Sequence, residues 1–268
     1  MKVTQKKCKS ILSSSGIYGV DYSINPYTGC QHNCKYCYAT YMKKFTDHTE
    51  PWGEFVEVKQ NAPQRLQKDL HKKKSGNKIL FSSVTDPYQP LEEEYEITKR
   101  LLEKLENTFF EINILTKGDV IERDLSLLEE FEDGISVGFT INFSSERDRK
   151  IWEPNASQIE DRIRILKELN KRDINSYIHI GPYLEGITDL DKIKQRTEHL
   201  VDEIQIENLN LRNQEKILDT IKKHYPDLEE KYRDILEDDG RYRHKLKTKT
   251  KKLASQIDED TQISLFLD

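Results

Sequence analysis

Apolar or β-branched runs, each only a few residues long, alternate with stretches of helical spacing through the middle of the chain. Residues 78–83, 110–116, 135–141, 176–180 and 203–206 are such runs, bounded by Gly, Pro, Asp or Asn, and they read as strands. Between them Ile97, Leu101, Leu102 and Leu105 fall on one helical face, and Ile159, Ile163, Leu166 and Leu169 on another. Strands alternating with helices of this length predict a parallel sheet with right-handed crossovers. A further strand over 20–24 brings the count to six βα units, short of a full eight-unit barrel, so the expected fold is α/β, a partial (β/α)6 barrel. Tyr38–Phe45 reads as a short helix, Phe55–Lys59 alternates as a strand does, and Pro63 opens a helix that runs to about His71.

Beyond Asn210 the pattern changes. Residues 211–238 read as helical and Asp239-Gly240 as a stop, followed by a strongly basic run from Arg241 to Lys252. The expected organisation is an N-terminal arm over 1–19, the barrel over 20–208, and a helical, basic C-terminal extension over 209–268.

Composition narrows the partners. The chain of 268 residues carries 43 basic and 48 acidic side chains, a net charge of −5, so the whole molecule is not a polycation. The basic run therefore has two readings, a solvated helix or tail, and a local contact for phosphates. No apolar run approaches the roughly 20 residues that span a bilayer, and the start lacks an apolar signal segment. A cytoplasmic location with no membrane partner is expected, where thiols stay reduced.

That matters because three of the four cysteines, Cys30, Cys34 and Cys37, lie within eight residues. Iron–sulfur clusters are held by cysteine thiolates, and a cubane bound through only three leaves one iron open. Pro26 and Gly29 break regular structure ahead of Cys30 and let the backbone wrap tightly, while Cys34 and Cys37 stand three apart, as on the first turn of a helix. The competing reading is a zinc site completed by His32 or by Cys8, in a non-catalytic metal-binding or nucleic-acid-binding module.

The spacing C-x3-C-x2-C, with Ser23-Ile24-Asn25-Pro26-Tyr27-Thr28-Gly29 before it and Tyr36-Cys37-Tyr38-Ala39 at its end, resembles the radical S-adenosylmethionine (SAM) superfamily. Within it, the flanks resemble the subset related to spore photoproduct lyase, a DNA-repair enzyme. The resemblance implies a radical SAM barrel, a [4Fe–4S] cluster on Cys30, Cys34 and Cys37, and SAM on the open iron. It implies a lyase-like or other radical reaction, a reductant such as flavodoxin or ferredoxin, and nucleic acid as a substrate class.

Ligands of α/β sheets bind beyond the carboxyl ends of the strands, so residues there are read first. By resemblance, Thr85 in the loop after residues 78–83 lies against SAM, and Thr140 at the end of the fourth strand lies near its ribose. Lys117 follows the third strand, where an ammonium can hold a carboxylate as a point charge. Glu153 and Arg162 follow the family's Glu-Pro and Arg pattern, which reads equally as a loop fastener and as a ligand contact. Tyr36 and Tyr38 match tyrosines that the lyase is held to use in returning a hydrogen atom. Ser83, however, stands where that lyase has a cysteine, and a serine O–H is a far poorer hydrogen-atom donor than a thiol. His179 alternates with Ile178 and Ile180 and reads as an interior histidine as readily as a catalytic one.

Overall fold

The computed structural model describes residues 1–71, 76–258 and 261–267. Its strands are β1 (Lys2–Lys6), β2 (Leu12–Ser14), β3 (Tyr22–Ile24), β4 (Tyr27–Thr28), β5 (Phe55–Lys59), β6 (Lys78–Phe81), β7 (Glu111–Thr116), β8 (Ile135–Thr140), β9 (Ser176–Ile180), β10 (Glu203–Glu207) and β11 (Gln262–Phe266). Between and after them lie α1 (Ala62–Leu70), α2 (Glu92–Tyr95), α3 (Ile97–Leu102), α4 (Leu125–Glu129), α5 (Glu146–Trp152), α6 (Ile159–Lys171), α7 (Leu190–Thr197), α8 (Gln214–His224), α9 (Glu229–Glu237) and α10 (Gly240–Ala254).

The main sheet runs β11-β10-β9-β8-β7-β6-β3-β2. From β3 to β11 all its neighbours are parallel, and only β2 turns back against β3. The six expected strands are therefore consecutive in space, and the α/β partial barrel is the fold observed. The C-terminal extension is not purely helical, because β11 pairs in parallel with β10. Nor is the start of the chain only an arm. β1 joins β5 and β4 in a second sheet of three strands, with Val3 beside Val56.

Side chains alternate across a strand, so each strand of the main sheet offers one residue in two to either face. Phe81, Ile114, Phe139, Ile178 and Ile206 share the face that helices cover, and all are fully buried. Burying each is worth roughly 1.5–3 kcal/mol. The inner face is polar, with Asn113, Thr140, Tyr177, His179, Gln205 and Glu207 in neighbouring registers. Tyr177 reaches across β8 to donate to Asn113 Oδ1 at 2.6 Å, over Gly138, where a Cβ would lie 2.1 Å from the ring. A barrel filled by branched apolar residues is a packed core; this one has an inner wall suited to a polar ligand.

The helical stretch does stop by Asp239-Gly240, α9 ending at Glu237; Gly240 then begins α10, and the basic run is a helix docked by Tyr242, Leu246 and Leu253. No helix among the described residues is long and apolar enough to cross a membrane.

Candidate metal and cofactor site

The cysteine loop leaves β4 at the carboxyl end of the sheet. Gly29 has φ +93°, and a Cβ there would meet Phe55 O at 2.3 Å, so the residue before Cys30 has to be glycine. Cys34 and Cys37 do not lie on a helix as expected. They close a turn, Cys37 N–H donating to Cys34 O at 3.3 Å, and a 3-10 helix starts only at Tyr38. Contacts from distant segments hold the loop. Gln89 Oε1 accepts from Gln31 N, Trp152 O accepts from Lys35 N, and Thr85 Oγ1 donates to Gly29 O at 2.5 Å. From α8's leading edge, Asn213 Nδ2 donates to Lys35 O at 3.1 Å, and Lys216 Nζ donates to Asn33 Oδ1 at 3.2 Å.

Burial pushes the Cys30 thiol well up and the Cys37 thiol up, and it pushes Cys34 to about 12, offset in part by Lys117. Asp86, Cys34 and Cys37 all add to the rise at Cys30, so the three sulfurs feel one another's charge. Three buried thiolates this close are stable only around a strongly cationic partner. A [4Fe–4S] cluster fits such a donor set. A tetrahedral structural zinc site would take a fourth protein ligand. The alternative fourth ligands are engaged elsewhere. His32 faces Asp86 at 3.2 Å and Asn155 O at 3.2 Å, and Cys8 Sγ donates to Asn61 Oδ1 at 3.4 Å beside α1.

Next to the thiols lies a buried charge network. Lys117 Nζ donates to Thr140 Oγ1 at 3.1 Å and sits 5.9 Å from the centre of the Tyr36 ring. Burial opposes its charge, but Cys34, Glu153 and Asp86 outweigh that and hold the ammonium above its ordinary pKa. Glu153 pairs with Arg162 at 2.8 Å and accepts from Tyr36 Oη at 2.5 Å. Burial would raise Asp86, yet His32, Lys117 and Thr116 hold it at about 2.

Sequence reasoning overlooked Asn142, one alternation past Thr140. Its Nδ2 donates to Tyr36 Oη, Glu153 Oε1 and Gly181 O, while its Oδ1 has no hydrogen-bond partner among the described residues. A fully buried bare acceptor beside Lys117 and Thr140 is what an amine or hydroxyl donor of SAM would satisfy. The residues fit that cosubstrate.

Of the other expected site residues, Thr85 is tied to the cysteine loop through Gly29 and accepts from Gln89 Nε2. Tyr36 is buried behind the loop, whereas Tyr38 is 37% exposed and donates to Ser83 O. His179 stands apart on the inner wall, 3.0 Å from Glu207 and 3.3 Å from Gln205.

Residues 24–196 match the model of the Radical SAM superfamily. An uncharacterized protein of Methanocaldococcus jannaschii is 35% identical over 227 residues, spanning 85% of this chain and 85% of that protein. A radical SAM Nalpha-GlyT isomerase of Pseudomonas phage M6 is 26% identical over 176 residues, 65% of this chain and 36% of the isomerase. A double mutant of spore photoproduct lyase with bound AdoMet and dinucleoside spore photoproduct superposes with a TM-score of 0.73. The superposition covers 98% of this chain and 82% of that one, and at 15% identity the likeness is one of fold.

Proposed function

The chain belongs to the radical SAM superfamily and is a radical SAM enzyme; from that premise we propose that it cleaves SAM reductively and abstracts hydrogen from a nucleic-acid base or lesion. In this reading Cys30, Cys34 and Cys37 hold a [4Fe–4S] cluster, and Lys117, Thr140 and Asn142 receive SAM. When bound, the two groups together supply one-electron cleavage of a sulfonium and, from it, a carbon radical strong enough to take hydrogen from C–H.

The chain's own residues orient and enclose. Lys117 offers its ammonium to a carboxylate as a charge-assisted donor. Asn142 Oδ1 is free to accept a hydrogen bond from a hydroxyl or amine, and Trp152 and Tyr36, stacked at 6.4 Å, close the rear of the loop to water. Tyr38 is the better placed phenol for returning a hydrogen atom, because it is 37% exposed whereas Tyr36 is buried; the O–H of each has an acceptor, Ser83 O for Tyr38 and Glu153 for Tyr36. With Ser83 in place of a thiol, this reading does not extend to spore photoproduct repair itself.

The observation that carries the substrate class is α10. Its 15 residues include no acid, and Arg241, Lys245, Lys247, Lys251 and Lys252 are exposed with no ion pair among the described residues. The helix begins at the mouth of the barrel, where Tyr242 Oη accepts from Leu209 N at 2.8 Å and donates to Tyr183 O at 2.7 Å. Phosphates suit that outer face. The inner wall, with Glu203, Gln205 and Glu207, repels phosphate and offers acceptors to the N–H groups of a base.

Anaerobic reconstitution, followed by dithionite and SAM, is expected to yield 5′-deoxyadenosine. Charge reversal at Lys245, Lys247 and Lys251 is expected to weaken binding of DNA or RNA, flattening the salt dependence by about 0.9 per lost phosphate contact. No 5′-deoxyadenosine would refute the enzyme reading. No affinity for either nucleic acid at low salt would replace the substrate with a peptide or small molecule.

A further inference from the structure

A second concentration of positive charge lies away from α10, on the outer side of the cysteine loop. Lys35 belongs to the loop itself, Lys43 and Lys44 lie in the last turn of the 3-10 helix that follows Cys37, Arg212 lies in the short turn just before α8, and Lys216 lies in the first turn of α8. These segments touch. The Arg212 guanidinium lies over the Tyr41 ring at 5.0 Å, Lys44 Nζ lies 5.8 Å from the same ring and 4.9 Å from Phe45, and Lys216 Nζ bonds Asn33 in the loop. Asn213, next to Arg212, holds the carbonyl of Lys35.

None of these five cations forms an ion pair among the described residues, although the chain as a whole is acidic. Phe45 is 67% exposed at its edge, an apolar body beside the charges. Charges set around an exposed aromatic are how a protein partner is steered and then seated.

We propose that this rim is the docking surface of a small acidic protein that delivers single electrons to the cluster. The inference rests on the cluster reading above. The cluster has to receive one electron from outside before SAM is cleaved reductively, and the loop that carries Cys34 and Cys37 is directly beneath the rim. A partner seated there reaches the cluster without crossing the barrel mouth, which leaves the mouth and α10 to substrate. An anionic surface on the carrier complements Lys43, Lys44 and Arg212.

The test uses Lys44→Glu and Arg212→Glu, singly and together, with an acidic flavodoxin and an acidic ferredoxin as probes. At low salt, the rate at which reduced flavodoxin or ferredoxin bleaches the cluster is expected to fall at least about 10-fold in the double variant, the scale of lost electrostatic steering. The difference is expected to shrink as salt is raised. Dithionite-driven formation of 5′-deoxyadenosine is expected to stay at the wild-type level. Binding of either oxidised carrier, read by fluorescence anisotropy on protein with and without cluster, is expected to weaken in parallel. Carrier-driven reduction and carrier binding equal to wild type in the double variant would overturn the docking surface. So would a fall in DNA or RNA affinity without loss of carrier binding, which would assign the rim to substrate. Failure of dithionite itself to support cleavage would instead count against the enzyme reading, while the anisotropy measurement still decides the docking.

Discussion

Replacing Glu153 tests whether the buried charge network is what shapes the site. Glu153 and Arg162 are 0% and 1% exposed, 2.8 Å apart, and Glu153 also accepts the Tyr36 proton. Glu153→Ala leaves the Arg162 guanidinium buried opposite no charge, a change that typically costs about 3–5 kcal/mol. For a chain of this size each kcal/mol moves Tm by about 2–4 °C, so a fall of roughly 6–20 °C is expected. Thermal unfolding of the cluster-free protein by circular dichroism reads it directly. The double variant Glu153→Met with Arg162→Met removes both charges, and since apolar replacement of a whole buried pair is often neutral or better, it is expected to recover most of the loss. The pH dependence has a definite sign. Burial raises the Glu153 carboxyl, but Arg162 and Lys117 outweigh it and set the folded pKa below the unfolded one. The stabilisation is therefore complete above the unfolded value of about 4.3 and is lost as pH falls through the lower folded value. The gap in Tm between wild type and Glu153→Ala should be level across neutral pH and close below about pH 4. A gap under about 2 °C at neutral pH, or a double variant no more stable than the single one, would refute the reasoning.

Cys8→Ala is expected to retain on the order of four irons per chain after reconstitution, and Cys34→Ala to lose them; iron and sulfide analysis decides, and loss in Cys8→Ala would mean that no iron is open. Lys117→Ala is expected to weaken SAM binding roughly 10- to 150-fold, the worth of a charge-assisted contact of about 1.5–3 kcal/mol, and calorimetry finding unchanged affinity would place the SAM carboxylate elsewhere. Gly138→Val drives side-chain atoms into the Tyr177 ring, where even a Cβ would lie 2.1 Å away, so a loss of about 1–3 kcal/mol in urea unfolding is expected, and partnering it with Tyr177→Ala should return part of it.

The parallel core was legible because β6 to β10 are nearly all Ile, Val, Leu and Phe on the helix-covered face, with turn residues at each end. β1 was not, since Lys2-Val3-Thr4-Gln5-Lys6 has a single apolar residue and takes its order from pairing with β5, far along the chain. β11 is likewise a short run whose strand character comes from β10. Spacing alone suggested that Cys34 and Cys37 share a helical turn, but the loop is shaped by Gln89, Trp152 and Asn213, none of them near in sequence. Lys117 and Thr140 were picked out at strand ends with the help of the resemblance, and they do touch. Asn142 could have been found by the same rule carried one alternation further. What no local pattern contains is the coupling of His32 to Asp86, a contact made only when the sheet brings two loops together.

The grip of Asn213 on the cysteine loop links positions 178 residues apart. On a ribosome adding about 5–20 residues each second, roughly 9–36 s separate the synthesis of Lys35 from that of its clasp. Through that interval the loop gains its holds from Thr85, Gln89 and Trp152 one by one and still lacks this last clasp. The order of events in the cell is thereby constrained: iron and sulfide delivered to the nascent chain would meet a loop without its latch, and maturation is best served by a carrier that waits until α8 has emerged and docked.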